Sequence, residues 1–337
     1  MRRGLRVASF TFETFGVLPS SGRVAMKPLA ATIIFLVILW SIFRPVPVNA
    51  EAALDEEIQP MITTSELVTG VNRFAFGLSY ENTLVENAEV TLRTYDLERA
   101  EIKPTSELKV PYQAIRKINQ KSSVHRHADG TEHVHSDESG VRGLYVTHVD
   151  FSRAGSWGIE LLIGQPGGSP KTVRFAVTVL DMPATPAVGS AAPRSRNLIA
   201  RDVKNLRQID TSQKPDVRLH QVRIVDAIAH GKPQLVVFAT PQFCTSRMCG
   251  PVVDIVRSLL PTYGKRVAFI HQEIWQDFAE KKVFPTVEEW RLDTEPWVFV
   301  IDEKGLIRAK FEGLVTTQEI ESALQQILTR QPARRGR

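Results

Sequence analysis

The period of the hydrophobic pattern changes along the chain, and that change divides it. From about Met61 to Met182 apolar residues recur at every second position, with Phe74, Phe76 and Leu78 in one run and Val173, Phe175, Val177 and Val179 in another. Successive side chains of a strand point to opposite faces, so this spacing predicts half-buried strands. Further strands are predicted over 88–95, 107–115, 143–151 and 157–163, separated by Gly, Pro, Asn and Asp at turn positions. Past residue 198 apolar runs alternate with helical spacing. A short amphipathic segment over 222–230 leads to Leu235-Val236-Val237-Phe238-Ala239, which reads as a buried strand. Val252, Ile255, Val256, Leu259 and Leu260 then recur as on one face of a helix that opens at Gly250-Pro251 and ends at Pro261. A second strand over 266–273 follows that helix and is therefore predicted to lie parallel to the first. Residues 297–301, the turn Asp302-Glu303-Lys304-Gly305 and residues 306–311 form a hairpin. Thr316 and Glu319 stand at capping-box spacing ahead of a last helix whose stripe is Ile320, Leu324, Ile327 and Leu328.

Six or seven short strands in sequence predict an antiparallel sandwich, immunoglobulin-like in strand count but without the Cys-Trp-Cys pattern of a true immunoglobulin domain. The second half, with its strand-helix-strand unit, hairpin and terminal helix, predicts an α/β fold. Between the two, residues 183–197 are rich in Pro, Ala, Gly and Ser and carry no period, as a linker would. The expected organisation is a β-sandwich over 61–182, a linker over 183–197 and an α/β domain over 198–330. Ahead of these, residues 29–43 form an apolar run behind Met26-Lys27, and Val48-Asn49-Ala50 offers a small-residue cleavage site. This makes 1–50 a secretory signal peptide or, uncleaved, a membrane anchor through residues 29–43, although a spanning helix needs roughly 20 apolar residues. Residues 1–25 are then either a long preceding region or lie upstream of a true start at Met26. Either way the protein is expected outside the cytoplasm.

Composition alters this picture little: 43% apolar and 23% charged residues are those of a globular protein, and the net charge of +5 is scattered. No basic stripe or recognised module points to nucleic acid.

The chemistry concentrates in Pro241-Gln242-Phe243-Cys244-Thr245-Ser246-Arg247-Met248-Cys249-Gly250-Pro251, which holds the only 2 cysteines among 337 residues. A cysteine loop between a strand and a helix N-terminus makes reactive thiols, because helix N–H groups stabilise a thiolate. Residues 238–244 resemble the strand end and aromatic-Cys entry of the thioredoxin-like superfamily, and Met248-Cys249-Gly250-Pro251 resembles its aromatic-Cys-Gly-Pro turn with Met in the aromatic place. The resemblance covers about 197–330. It implies a thioredoxin-like fold, with Pro296 as the family's cis-proline shaping a substrate surface opposite the thiols. The leading expectation is an exported thiol–disulfide oxidoreductase acting on a protein or small-molecule thiol or disulfide, with no required cofactor. Cys249 near the helix N-terminus and Cys244 at the strand end are both candidate attackers, and Arg247 adds a positive charge. A structural staple is the bland reading, yet so short a ring restricts the unfolded chain least. Thr240-Pro241 before Cys-Thr-x-x-x-Cys also looks like bacterioferritin-comigratory-type peroxiredoxins, with Cys244 peroxidatic and Cys249 resolving. Sco-type copper proteins share the fold and a close cysteine pair, with a histidine where this chain has Thr294-Glu295. A non-catalytic interaction protein is the remaining alternative.

Four of the 8 histidines, His125, His127, His133 and His135, fall in one short stretch and form two His-x-His arms. Residues two apart on a strand share a face, so each arm offers two ligands to copper or zinc. An odd loop centred on Gly130 would pair His127 with His133 and His125 with His135 and gather all four on one face. A two-residue Asp129-Gly130 turn would split the arms between faces.

Overall fold

Wherever period two was read, the chain is extended, and the result is a β-rich fold. The computed structural model describes residues 58–80, 83–115, 142–164 and 169–329, with the backbone alone of 124–126 and 132–134. Residues 29–43 and the cleavage site lie outside the described residues. Among those described, no helix is long and apolar enough to cross a membrane.

The first half contributes β1 (Gln59–Ile62), β2 (Leu67–Val68), β3 (Gly70–Tyr80), β4 (Thr83–Leu84), β5 (Val90–Asp96), β6 (Pro104–Val110), β7 (Tyr112–Ala114), β8 (Val124–Arg126), β9 (Glu132–Val134), β10 (Gly143–Phe151), β11 (Gly155–Ile163) and β12 (Lys171–Leu180). One sheet has the order β1-β3-β10-β7, with β4 on β3, and a second has the order β2-β12-β11-β5-β6. Their facing sides share a core: Phe74, Phe76 and Leu78 of β3 and Tyr145 and Phe151 of β10 meet Leu92, Trp157, Ile159 and Leu161 of the second sheet. The single strand expected over 107–115 is two. Pro111 lacks an N–H for the ladder, and here the chain leaves β5, the partner of β6, for β10, the partner of β7.

The second half contributes α1 (Ile224–Ala229), β13 (Gln234–Phe238), α2 (Cys249–Ser258), α3 (Leu260–Tyr263), β14 (Ala268–Gln272), β15 (Trp275–Asp277), β16 (Lys282–Val283), α4 (Pro285–Glu289), β17 (Trp297–Ile301), β18 (Ile307–Glu312) and α5 (Thr317–Thr329). The order β14-β13-β17-β18 puts β13 at the centre, parallel to β14 and antiparallel to β17. All of β13, β14 and β17 is buried, which is why these strands read as continuous apolar runs. Thr316 caps α5 as expected: the Glu319 N–H donates to Thr316 Oγ1 at 3.2 Å and the Thr316 N–H to Glu319 Oε2 at 2.9 Å. Ile320, Leu324, Ile327 and Leu328 are all buried, each removal from water contributing about 1.5–3 kcal/mol. The β15–β16 hairpin and α4 are elements that periodicity did not announce, being too short to show a period.

Residues from Ile58 onward form one unit. Strand parity explains how: the residues of β3 and β10 that point away from the first core, Ala75, Leu144 and Val146, join a second core with Val298 and Val300 of β17 and Leu324 of α5. Polar groups fasten the same joint. Arg73 Nε donates to Glu319 Oε1 at 2.6 Å and Arg73 Nη2 to the Leu314 carbonyl at 2.7 Å, and the N–H groups of Ser65 and Glu66 donate to Glu312. Gly313, at φ 69°, passes so close to Thr63 that a Cβ there would run into the Thr63 carbonyl oxygen. The stretch 183–197 also lies on the protein: Ala191 bridges Leu306, and Trp290 Nε1 donates to Ser195 Oγ at 3.0 Å. Arg73 and Glu319 are only 10% and 13% exposed. Arg73→Ala, by leaving Glu319 unpaired at the joint, is expected to lower unfolding stability by about 3 kcal/mol in a guanidinium titration.

Candidate active site

The cysteine loop begins where the central strand β13 ends, so its root is fixed by hydrogen bonds to neighbours on both sides. Thr240, fully buried, starts it. The Thr240 N–H donates to Glu295 Oε2 at 2.8 Å, and its hydroxyl donates to Glu273 Oε1. Glu273 in turn accepts the N–H and hydroxyl of Thr211 at 2.9 and 2.7 Å. The loop then turns back on itself. Arg247 adopts φ 57°, and its N–H donates to the Cys244 carbonyl at 3.2 Å, which brings Cys244 over the start of α2. Helix α2 begins at Cys249, one residue ahead of the expected Gly250-Pro251 start, so Pro251 sits within its first turn.

The two thiols take the places expected of them, Cys249 at the helix start and Cys244 in the loop before it. Cys249 is the first residue of the helix and is fully buried, whereas Cys244 comes from the loop and is part-exposed. Had both been on one helix their side chains would have diverged. The chain reversal instead leaves Cys244 Sγ, Cys249 Sγ and a Glu295 carboxylate oxygen within 4.8 Å of one another. The thiols are unbonded.

Their surroundings drive them apart in acidity. Hydrogen bonding from the Cys249 thiol lowers the Cys244 pKa to about 5, helped against burial by the Ser246 hydroxyl, 3.1 Å away, and by the N–H groups of Cys249 and Met248. These last two are the helix N-terminal donors at work. Cys249 is pushed far up, first by burial and then by the negative groups Cys244 and Glu295 beside it. Its single Sγ–H is shared between the Cys244 thiolate and Glu295 Oε2, 3.4 Å away. Burial, with the Cys244 charge, raises the Glu295 carboxyl to about 7. The site therefore holds a nucleophile ionised at neutral pH, a protonated thiol behind it, and a carboxyl able to take or give a proton near neutrality. Arg247 also supplies the left-handed turn.

Pro296 follows Glu295 through a cis peptide bond and is buried, its carbonyl accepting the Gly313 N–H at 2.9 Å. On the solvent side Phe243 stacks on Phe278 at 4.4 Å, with Trp275 edge-on at 5.6 Å, so the β15–β16 hairpin lends the cysteine loop an aromatic ledge. Phe278 is 44% exposed, unusual for a large apolar ring.

A second cluster lies deeper. His271 of β14 is buried with Asp210 and His220, and their ligand atoms again lie within 4.8 Å of one another. Burial opposes ionisation of Asp210, but the hydrogen bond from His220 and the neighbouring His271 outweigh it and hold its carboxyl below the usual range.

The histidine hairpin pairs β8 with β9 antiparallel, and the backbone register sets His125 opposite His133. The expected pairing of His127 with His133 is shifted by one pair, but the odd parity of that register is kept and sets positions 125 and 133 on one face, which the two-residue turn would not. His127 and His135, and the side chains of His125 and His133, lie outside the described residues.

No protein-family model and no curated protein matches the chain. What can be said of chemistry rests on the residues. Glu295, Glu273 and Asp210 were missed because single carboxylates have no pattern. The one available signal was Glu295 itself, a charged residue wedged between Thr294 and the proline that opens an apolar strand.

Proposed function

We propose that the chain is an exported thiol–disulfide oxidoreductase in which an immunoglobulin-like sandwich carries a thioredoxin-like domain. The observation that carries this reading is the asymmetry of the thiols: Cys244 low and accessible at the mouth of α2, Cys249 high and buried against Glu295. The strand order β14-β13-β17-β18 and the cysteine loop after β13 support the fold assignment. Export rests on the apolar run 29–43 and the small residues after it.

In the reductive direction the Cys244 thiolate attacks one sulfur of a substrate disulfide. The substrate S–S bond breaks, its other sulfur leaves as a thiolate, and a mixed disulfide forms on Cys244. Glu295 then takes the proton of Cys249, whose thiolate attacks Cys244 Sγ. The bond to the substrate breaks, the second substrate sulfur leaves and is protonated, and the Cys244–Cys249 disulfide remains. Two electrons have passed to the substrate, and a thiol reductant must return them. A strongly stabilised thiolate favours the reduced form, so the pair is expected to have a potential above the about −300 mV of structural disulfides. The Phe243–Phe278 ledge beside Cys244 suits an unfolded or extended protein substrate with apolar side chains.

Other readings fare less well. The Thr240 hydroxyl, which a peroxidase would aim at its peroxide, is engaged by Glu273. A staple would need no low thiol.

Alkylation tests the reading. The rate of carboxamidomethylation at Cys244, followed by mass spectrometry, is expected to rise through a midpoint near pH 5 and stay level from about pH 6 to 8. A rate that climbs through pH 8.5, as an ordinary thiol's does, rejects the proposal.

A further inference from the structure

His271 presents a chemical contradiction. Its Nε2 lies 3.0 Å from the Ala239 carbonyl, which can only accept, so Nε2 carries a hydrogen. In a neutral imidazole the other nitrogen, Nδ1, is then a bare acceptor. Yet Nδ1 faces Asp210 Oδ1, another acceptor, at 3.6 Å, and has no hydrogen-bond partner. The ring is fully buried, so no solvent resolves the conflict. Something positive belongs between the two atoms.

The surroundings ask for the same. Asp210 is 0% and Glu273 1% exposed, and among the described residues neither makes an ion pair with lysine or arginine. Buried carboxylates are stable only with a counter-charge or a metal. On the other side of Asp210, Oδ2 lies 3.1 Å from His220 Nε2, in a ring 1% exposed. The Ser212 hydroxyl, whose own N–H donates to Asp210, is buried without a partner.

We propose that Asp210, His220 and His271 bind a zinc ion, separate from the thiol pair. The donor set of two imidazoles and one carboxylate is a borderline-soft set that suits zinc. Bonds of about 2.0–2.1 Å in a tetrahedron place ligand atoms about 3.3 Å apart. The imidazole nitrogens lie 3.1 Å from Asp210 Oδ2 (His220) and 3.6 Å from Asp210 Oδ1 (His271), and one ligand atom from each residue lies within 4.8 Å of the others, so a small rotation of the carboxylate brings the set to that spacing. The second shell is already built. The His271 Nε2–H bond to Ala239 selects the tautomer with Nδ1 free for metal, as metal-ligating histidines require. With every ligand buried, no open coordination site faces solvent, so the ion would be structural. It would clamp the segment carrying Asp210 and His220 to β14 and, through Ala239, steady the root of the cysteine loop. This inference does not rest on the thiol chemistry.

The test uses the full chain, purified without chelators, and three variants: His271→Gln, the pair Cys244→Ser with Cys249→Ser, and a variant with His125, His127, His133 and His135 replaced by Ala. Zinc per chain is measured by mass spectrometry of the metal, with the thermal midpoint before and after exchange into a strong chelator. About one zinc per chain is expected in the parent, the cysteine variant and the hairpin variant. Removing zinc should lower the parent's thermal midpoint, and adding it back should restore it. His271→Gln should weaken zinc binding roughly a hundred-fold or more. If that variant does not fold, the parent's metal content and midpoint decide alone. A parent without zinc, whose midpoint ignores added zinc, means the contradiction is solved by a protonated His271 paired with Asp210, and overturns the proposal. So does zinc that disappears with the cysteines or the hairpin histidines, or that survives His271→Gln.

Discussion

Replacing Cys249 with serine is expected to leave the protein joined to its substrate as a stable mixed disulfide, while replacing Cys244 with serine ends turnover altogether. The difference follows from position. Cys244 alone combines exposure with a thiolate at neutral pH, so it alone can begin the exchange. Cys249 is buried and protonated and acts only on a sulfur already bonded to Cys244. In a disulfide-reduction assay both variants should fall by several orders of magnitude. Only Cys249→Ser should yield an adduct that runs as a larger species on a non-reducing gel and collapses on reduction. Trapping by Cys244→Ser instead would reverse the assignment of attacker, and trapping by neither would remove exchange chemistry from this site. Cys249→Ala, unlike the serine variant, also deletes the hydrogen bond that contributes most to the low Cys244 pKa. The alkylation midpoint of Cys249→Ala should therefore move upward from about 5 while staying below that of a free thiol, because Ser246 and the α2 N–H groups remain.

The second large effect belongs to Glu295. Its carboxyl, near pKa 7, touches the Cys249 thiol, and a positioned base typically contributes about 10²–10⁴-fold to a proton transfer. Glu295→Gln is isosteric and keeps an oxygen for the Thr240 N–H, so loss of the base rather than loss of the fold should be read out. In the mixed disulfide Cys244 carries no charge, so one of the causes that raise the Glu295 carboxyl is gone and it titrates below about 7. The resolving step in the parent should accelerate as pH rises through that lower value, because a base acts only when deprotonated. In the Gln variant this inflection should vanish, with the rate depressed at pH 8 by the factor above. The groups that shift Glu295 most are Cys244, Cys249, the Thr240 N–H and Glu273, none of them a lysine or arginine. Removing a negative neighbour also eases ionisation of Cys249, which works against the loss and makes the lower end of the range the firmer expectation. Formation of the mixed disulfide, measured by stopped-flow in the Cys249→Ser background, should be little changed by Glu295→Gln. An equal fall in both steps would mean that Glu295 shapes the loop instead of carrying protons.

Local pattern determined a great deal. Period two at Phe74, Phe76 and Leu78 announced a strand with one buried face, because alternation is a property of the extended backbone itself. The Thr316–Glu319 cap and the Ile320-to-Leu328 stripe announced α5, since capping and helical spacing operate within a few residues. The thiols were visible as the only cysteines, placed between a strand and a helix. Division of labour between them was not visible. It depends on where α2 starts and on a reversal at Arg247 that no residue type demanded. Glu295 lies 46 positions from Cys249 and reaches it only because β17 pairs with β13. Glu312 reaches Ser65 across 247 positions, and the two halves share a core because the back of β3 is small and apolar at Ala75. Hydrophobic periodicity is written one element at a time by backbone geometry. Proton affinity and counter-charge depend on what lies a few ångströms away in space, and only the folded arrangement of strands decides that.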